Sequence, residues 1–139
     1  MPRIKLSIPK KKHFSTTMCL RIYDMNYGGH MGNDSVLSIV HEARVRFLNS
    51  LELSEKNFYG SGLLMADSAI IYKKEAFYGE QLNIEITVSD LNKYGFDLFY
   101  LICNVANKEV ARVKTGLVCY DHNMKKLVKL PDVFYGKFS

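Results

Sequence analysis

The chain has 139 residues, of which 47% are hydrophobic and 24% charged, and it contains only three prolines. This composition is typical of one globular domain. A chain of this length buries roughly two thirds of its unfolded surface, enough for a single core, so we expect one domain and not a multidomain enzyme. Nineteen basic and fourteen acidic residues give a net charge of +5. This moderate excess attracts anions in general and does not indicate which class of anion the protein binds.

Three cysteines, Cys19, Cys103 and Cys119, lie in apolar stretches without the short spacing of zinc or redox motifs. We therefore predict reduced cysteines in the core, and no metal site. The N-terminus lacks the apolar run of a signal peptide, and no stretch approaches the roughly 20 apolar residues of a membrane helix. The sequence predicts a soluble, cytoplasmic protein without membrane association.

The beginning of the chain differs from the remainder. Residues 1–15 are basic and interrupted by Pro2 and Pro9, and we predict a tail or a short edge strand there. Residues 16–139 carry the patterns of a single domain. This domain opens with a β-branched and apolar stretch over residues 16–23, which predicts the first strand.

A long helix is predicted after a glycine-rich loop. Gly28, Gly29 and Gly32 mark the loop, where backbone freedom is needed. Residues 33–35 offer side chains suited to a helix N-cap. Apolar residues then recur at three- and four-residue intervals over residues 36–51, which indicates about five turns. The apolar arc is wide enough for burial on more than one side.

The rest of the chain has the patterns of strands. Strict alternation is typical of a half-buried strand, whereas a stretch that is apolar on both faces indicates a central one. Strands are predicted over residues 63–73, 82–88, 96–105 and 110–120, with turns at residues 92–95 and 106–108. The resulting fold class is α+β, with one long helix against an antiparallel sheet of about five strands.

The loop and the helix together carry a family resemblance. They resemble the opening of hot-dog fold thioesterases of the 4-hydroxybenzoyl-CoA thioesterase type, whose pattern is approximately Asp-x-Asp-x-x-Gly-His-Val-Asn-Asn followed by a helix with Glu-x-Ala-Arg. The matching residues are Asp24, Gly29, His30, Asn33, Glu42, Ala43 and Arg44. The resemblance covers about residues 16–134. It implies a hot-dog fold and hydrolysis of an acyl thioester to free acid and thiol.

The resemblance also implies the partners. The substrate would be an acyl-CoA or an acyl-carrier-protein thioester, with coenzyme A as part of the substrate and no separate cofactor. The protein would form a homodimer, or a homotetramer, with the active site at the subunit interface. No recognition helix, zinc spacing or ribonucleoprotein motif supports nucleic-acid binding, which is not expected.

One departure from the family pattern affects the chemistry. Asn26 stands where many members have the aspartate that acts as nucleophile or base, and an amide cannot take up a proton at neutral pH. We expect Asn26 to orient a water instead. Glu42 is the best candidate for the missing carboxylate base, and Asp24, two residues before Asn26, is the second.

The remaining candidate residues would hold the substrate. Gly29 and Gly32 leave room for the thioester carbonyl, and by resemblance the N–H of Asn33 polarises it, supported by the positive end of the helix dipole. The His30 imidazole suits proton transfer at neutral pH, and it would hydrogen-bond the carbonyl oxygen or order a water. Val36 is a candidate for the acyl pocket, Lys74 for the phosphates of coenzyme A and, by resemblance, Tyr78 for a neighbouring turn.

Two further functions remain open from the sequence. A hot-dog domain that lost catalysis at Asn26 would bind acyl-CoA as a sensor or carrier. A dehydratase that acts on the acyl group without breaking the thioester is the third class, although its hydratase motif is not evident. The substitution Asn26→Asp separates the first two, since an inert parent would gain activity and an active parent would lose it.

Overall fold

Six strands, two α-helices and one short 3-10 helix make up the computed structural model, which describes residues 3–139. The bounds in chain order are β1 Phe14–Cys19, a 3-10 helix Ile22–Asp24, α1 Ser35–Ser50, β2 Gly62–Tyr72, β3 Gln81–Ser89, β4 Gly95–Cys103, β5 Glu109–Asp121, β6 Lys126–Leu127 and α2 Asp132–Phe138. The predictions for α1 and for β2 to β5 are confirmed to within two residues at each end.

The sheet is antiparallel and has the order β1-β3-β4-β5-β2, with β6 paired to the end of β5. β1 and β2 are therefore the two edge strands of the described sheet. Because alternate residues of a strand face opposite sides, the even-numbered residues of β4 from Phe96 to Ile102 are buried while the odd-numbered Asp97, Phe99 and Leu101 are only half-buried.

Helix α1 packs its apolar side onto the sheet and supplies the centre of the core. Its buried residues recur at three- and four-residue spacing, as an amphipathic helix requires; they include Val36, Ile39, Val40, Ala43, Phe47 and Leu48. Neither α-helix within residues 3–139 has the length and apolar character needed to cross a membrane. The core thus lies between a single helix and the sheet that surrounds it.

The first strand is displaced from its prediction. β1 ends at Cys19 instead of continuing to residue 23. The cause lies in Asp24, whose carboxylate accepts the backbone N–H of Arg21 at 2.9 Å and so closes the 3-10 helix. The expected strand is therefore replaced by a tight turn that leads into the glycine-rich loop.

The basic N-terminal segment lies on the sheet. Arg112 on β5 donates to the Leu6 carbonyl at 2.8 Å, and Thr87 on β3 donates to the Lys11 carbonyl at 2.6 Å. Residues 3–13 form no strand, and β1 begins at Phe14, so it includes the last two residues of the predicted tail of residues 1–15.

The C-terminal helix α2 was not predicted, because its seven residues are too few for a periodic pattern. The local signal was Pro131 followed by Asp132, a combination typical of a helix N-terminus. Phe134 of α2 is fully buried and its ring lies 4.6 Å from that of Phe96 and 5.0 Å from that of Phe58, centroid to centroid. The helix therefore closes one end of the core.

The three cysteines are free. Cys103 and Cys119 are buried, as predicted, but Cys19 is exposed. The prediction of a core position for Cys19 was wrong because β1 is an edge strand whose residues alternate between half-buried and exposed, and Cys19 falls on the exposed side.

Candidate functional site

The loop between β1 and α1 is built around the side chain of Asn26. Oδ1 of Asn26 accepts the backbone N–H of Gly28 at 2.9 Å and that of His30 at 3.2 Å. The backbone N–H of Asn26 donates to the His30 carbonyl at 2.8 Å. Gly29 has φ +84°, a conformation that other residues rarely adopt. The Asn26 amide thus holds the loop closed, and its two acceptor positions are occupied by backbone donors.

The loop leaves the N-terminus of α1 open. Gly32 donates to the Asp24 carbonyl at 2.9 Å, and a side chain at Gly32 would lie only 2.6 Å from the Asp34 carboxylate. Asp34 is the N-cap residue but makes no capping hydrogen bond with its side chain. The N–H of Asn33 has no acceptor within residues 3–139. Free N–H groups at a helix N-terminus attract a partial negative charge.

A cleft of about 340 Å³ opens beside this helix N-terminus. It lies between the glycine-rich loop, the first turn of α1 and the segment that follows β2. Its lining residues are Asn26, His30, Met31, Asn33, Val36, Tyr72, Lys73, Lys74, Glu75, Ala76 and Val110. The volume is at the lower end for small-molecule sites and suits a thioester and a short or flat acyl group, but not an entire coenzyme A.

The end of β2 forms the opposite wall of this cleft. The Tyr72 hydroxyl donates to the Asn33 carbonyl at 3.3 Å, which joins the end of β2 to the helix N-terminus. The next two backbone N–H groups, of Lys73 and Lys74, both donate to the Val110 carbonyl, at 2.9 and 3.2 Å. Both lysines line the cleft, and lysine side chains are suitable counter-charges for phosphate groups of a ligand.

His30 pairs with an acid from that wall. Its Nδ1 lies 2.9 Å from Oε2 of Glu75, although the two atoms are not aligned as a hydrogen bond. The backbones are joined next to this pair, because Met31 donates to the Ala76 carbonyl at 2.7 Å. The His30 ring also packs on Phe77 with 5.0 Å between centroids. The loop and the β2–β3 connection therefore form one unit.

Five of the predicted site residues meet in this cleft, namely Asn26, His30, Asn33, Val36 and Lys74. Gly29 and Gly32 belong to the loop behind it and shape its backbone rather than line it. Tyr78 does not line the cleft; the residue is 65% exposed, and the adjoining Gly79 donates to the Leu20 carbonyl at 3.0 Å, beside β1. Tyr78 is thus exposed in the turn before β3, and its contribution to the site stays a prediction.

The two predicted bases lie elsewhere within the chain. Glu42 and Asp24 line a second cleft between β1 and α1. Glu42 accepts Nε of Arg46 at 2.9 Å, and Asp24 is buried and paired with Arg21. Neither residue lines the cleft that holds Asn26 and His30. A base role for either stays a prediction that this geometry does not favour.

Glu75 and Tyr72 are residues that sequence reasoning missed. Glu75 follows two lysines in a connection between strands, a context that is ordinary for a solvated charge. No local pattern distinguishes it. Only the pairing of Met31 with Ala76, 45 positions apart in the chain, brings it to His30.

Arg44, the last residue of the helix motif, has a structural role. It is buried, with Nε 2.9 Å from Glu55 Oε1 and Nη1 donating to the Tyr100 hydroxyl at 3.1 Å. The Tyr100 hydroxyl also lies 2.8 Å from Oγ1 of Thr115. Burial raises the pKa of Tyr100, so that the phenol stays neutral. The network satisfies a buried cation and ties α1 to β4 and β5.

One helix enclosed by an antiparallel sheet, with its open N-terminus over a cleft, defines the class of hot-dog fold proteins that the sequence resembles. The model of the thioesterase-like superfamily matches residues 20–138, and the chain belongs to this family. The predicted family and fold class are therefore confirmed.

Individual relatives agree with this placement. A 1,4-dihydroxy-2-naphthoyl-CoA hydrolase from Microcystis aeruginosa is 31% identical over 100 residues, which are 70% of this chain and 72% of that protein. The crystal structure of a 1,4-dihydroxy-2-naphthoyl-CoA thioesterase from Synechocystis superposes with a TM-score of 0.80, at 24% identity over 88% of this chain and 92% of that one. A Staphylococcus aureus protein in complex with CoA has a TM-score of 0.82, at 16% identity over 94% of this chain and 85% of that one.

Proposed function

We propose that this protein is an acyl-CoA thioesterase, which hydrolyses an acyl thioester to free acid and thiol in the cleft beside the N-terminus of α1. The observation that carries the proposal is that Asn33, which directly precedes the N-cap of α1 and whose N–H has no acceptor in the described chain, lines the same cleft as His30 and Asn26. A donor fixed before the reaction stabilises the negative charge that develops on the carbonyl oxygen.

The chemistry follows from the groups that face the cleft. The thioester carbonyl oxygen lies against the Asn33 N–H and the positive end of the α1 dipole. Water attacks the carbonyl carbon, the C–S bond breaks, and the water proton leaves to a base while the thiolate sulfur is protonated. Asn26 lines the cleft, and because both acceptor positions of its Oδ1 are filled, the group that its side chain can still offer to a ligand is the donor Nδ2.

Coenzyme A is the favoured thiol carrier. Lys73 and Lys74 stand at the cleft and are placed to meet phosphate groups. The hydrolase from Microcystis aeruginosa and the thioesterase from Synechocystis are both named for a CoA thioester with a flat aromatic acyl group. An aromatic acyl group also suits a cleft of about 340 Å³. An acyl-carrier-protein thioester remains the second substrate class.

A homodimer completes the proposed enzyme. Residues 64–68 of the edge strand β2 are exposed on both faces, and they include Leu64 and Met65. An exposed apolar edge strand is a template for pairing with another chain. The end of β2 carries Tyr72 at the cleft, so a second copy paired with β2 lies next to the site and helps to cover it.

The activity test uses the purified full chain and measures release of free thiol. The substrates are benzoyl-CoA, 1,4-dihydroxy-2-naphthoyl-CoA and a series of straight-chain acyl-CoAs. Hydrolysis above the rate in buffer is expected for at least the aromatic thioesters. A folded protein that releases no thiol from any member of the panel, and none from an acylated carrier protein, contradicts the proposal.

The alternative function is an acyl-CoA sensor or carrier without catalysis, and the observation that favours it is the amide at Asn26. The substitution Asn26→Asp decides between the two. One carboxylate oxygen can keep the two backbone hydrogen bonds while the other replaces Nδ2, so the loop is expected to fold unchanged. Loss of activity from an active parent supports a working asparagine; gain from an inert parent that binds acyl-CoA supports the alternative.

A further inference from the structure

We propose that the His30 imidazole is the base that deprotonates the attacking water, and that Glu75 is the positioning residue that orients the ring and stabilises the imidazolium formed in the reaction. The inference deepens the proposed thioesterase function and rests on it. It assigns the His30 imidazole to proton transfer and not to polarisation of the carbonyl. It also places the missing acid on the connection between β2 and β3 rather than in the loop or in α1.

The cleft needs a base other than Asn26. The Oδ1 atom of Asn26 is occupied by the N–H groups of Gly28 and His30, and an amide nitrogen takes up no proton at neutral pH. Of the remaining residues that line the cleft, only His30 and Glu75 carry an imidazole or a carboxylate, the side chains that most often serve as general bases.

The contact between His30 and Glu75 is held from several sides. The atoms Nδ1 and Oε2 are 2.9 Å apart. The hydrogen bond from Met31 to the Ala76 carbonyl and the bridge between His30 and Phe77 fix the two backbones next to each other. The Phe77 ring packs against the imidazole at an interplanar angle of 44° and limits its rotation. The pairing therefore does not depend on the chance meeting of two surface side chains.

The two ring nitrogens differ in access. Nδ1 is closed to solvent and faces Glu75. Nε2 is not buried, and the residue lines the cleft. A carboxylate on one nitrogen favours the tautomer with the proton on that nitrogen and leaves the other as the proton acceptor. Nε2 is then the atom that takes the water proton.

The contact between His30 and Glu75 has the geometry expected of an enzyme before its substrate binds. Nδ1 and Oε2 are close but not aligned, and the Glu75 side chain is 69% exposed. Hydrogen bonds between catalytic groups are often poorly aligned before substrate binds and tighten afterwards. A bound thioester or the second subunit would remove water from Glu75, which strengthens its attraction for the imidazolium.

The proton and electron balance is that of simple hydrolysis. The water oxygen forms a bond to the thioester carbon as its proton passes to Nε2 of His30, and Glu75 stabilises the imidazolium that results. The C–S bond then breaks, and the same proton passes from the imidazolium to the thiolate sulfur. The products are the carboxylic acid and the free thiol, and His30 is neutral again.

The experiment compares the parent with His30→Gln, Glu75→Gln and the double variant, all with benzoyl-CoA or the best substrate of the panel. His30→Gln is expected to lower kcat by roughly 10²–10⁴-fold. Glu75→Gln is expected to lower kcat by about 10-fold or more with little change in KM, because the imidazolium forms later in the reaction. The matched control is Glu52→Gln, since Glu52 is exposed and outside the cleft.

Two readouts distinguish positioning from a structural effect. In Glu75→Gln the loss is expected in kcat and not in KM, whereas a distorted cleft would change both. The double variant is expected to be no slower than His30→Gln, because Glu75 acts only through His30. Circular dichroism and the urea midpoint are measured for every variant, and Glu75→Asp is used to look for partial rescue.

The outcomes separate this inference from the proposed function. An active parent whose Glu75→Gln variant equals Glu52→Gln overturns the role of Glu75. Independent, multiplicative losses in the double variant overturn the claim that Glu75 acts through His30. A parent that hydrolyses nothing overturns the proposed function and this role together.

Discussion

A single amide decides which chemistry the cleft can perform. Asn26 gives both acceptor positions of its oxygen to the loop backbone, so the side-chain group that it has left to offer is a donor. The same loop leaves the N–H of Asn33 without an acceptor in the described chain. At this scale the site is rich in donors, and a thioester carbonyl is the kind of ligand that such a site stabilises.

A second residue with unusual chemistry lies on the outer face of the sheet. Asp97 on β4 pairs in register with Gly116 on β5, and a side chain at Gly116 would collide with the Asp67 carboxylate from β2. Burial raises the pKa of the Asp97 carboxyl to about 6, a hydrogen bond with Asp90 adds to the shift, and the ammonium group of Lys114, 3.7 Å away, opposes it. Ionisation of Asp97 is therefore less favourable in the folded state than in the unfolded state.

This shift predicts the pH dependence of stability. The pKa of Asp97 is higher in the folded state than in the unfolded state, so the protonated carboxyl stabilises the fold. This contribution is fully present below about pH 4 and is lost as the pH rises through about 6. Asp97→Asn removes this dependence. Between pH 4 and pH 7.5 its free energy of unfolding, relative to the parent, is expected to rise by roughly 1–3 kcal/mol in urea titrations. A difference that does not change with pH contradicts the shift.

At the scale of elements, the structure depends on α1 and on the short α2. The buried Arg44 of α1 reaches Tyr100 on β4, and that residue reaches Thr115 on β5, so one polar network joins three elements. α2 uses Phe134 to close the end of the core. A helix of seven residues is not stable alone, so its order comes from this packing.

The packing of α2 can be measured by truncation of its buried ring. Phe134→Ala leaves a cavity among the rings of Phe58 and Phe96, and we expect it to lower the free energy of unfolding by about 3–5 kcal/mol. The matched control is Val133→Ala, because Val133 is exposed and its truncation is expected to cost less than about 0.5 kcal/mol. Equal losses for the two variants in urea unfolding would show that α2 does not pack as described.

At the scale of the whole molecule, the sheet has two unequal edges. The β1 edge is covered in part by Arg46, which donates to the Thr16 hydroxyl at 2.8 Å and to the Thr17 carbonyl at 2.9 Å. The β2 edge is longer and exposes Leu64 and Met65 on opposite faces of the strand. A second copy is therefore expected at β2 rather than at β1.

The proposed dimer is tested at β2. Met65→Lys is expected to shift the mass measured by light scattering from dimer toward monomer, because a charge at an apolar contact opposes its burial. Thiol release is expected to fall with it, since the cleft adjoins this edge. Val105→Lys is the matched control, an exposed apolar residue in the turn after β4. A parent that is already monomeric at assay concentrations contradicts the dimer.

The sequence by itself determined the helix, the main strands and the family. The apolar spacing from Val36 to Leu51 and the alternation from Leu82 to Val88 follow from local geometry, because each side chain faces the core or solvent according to its position in a helix or strand. The residues of the glycine-rich loop are contiguous, so Asn26, His30 and Asn33 were predicted together and are found in one cleft.

Only the tertiary structure decided the rest of the site. Glu75 reaches His30 through a contact between distant segments, which no local pattern records. Glu42 was proposed from its stripe on α1 and Asp24 from its nearness to Asn26, but the rotation of α1 and the turn closed by Asp24 direct both side chains to another cleft. Local periodicity specifies which face of an element is buried, whereas long-range packing decides which polar side chains meet.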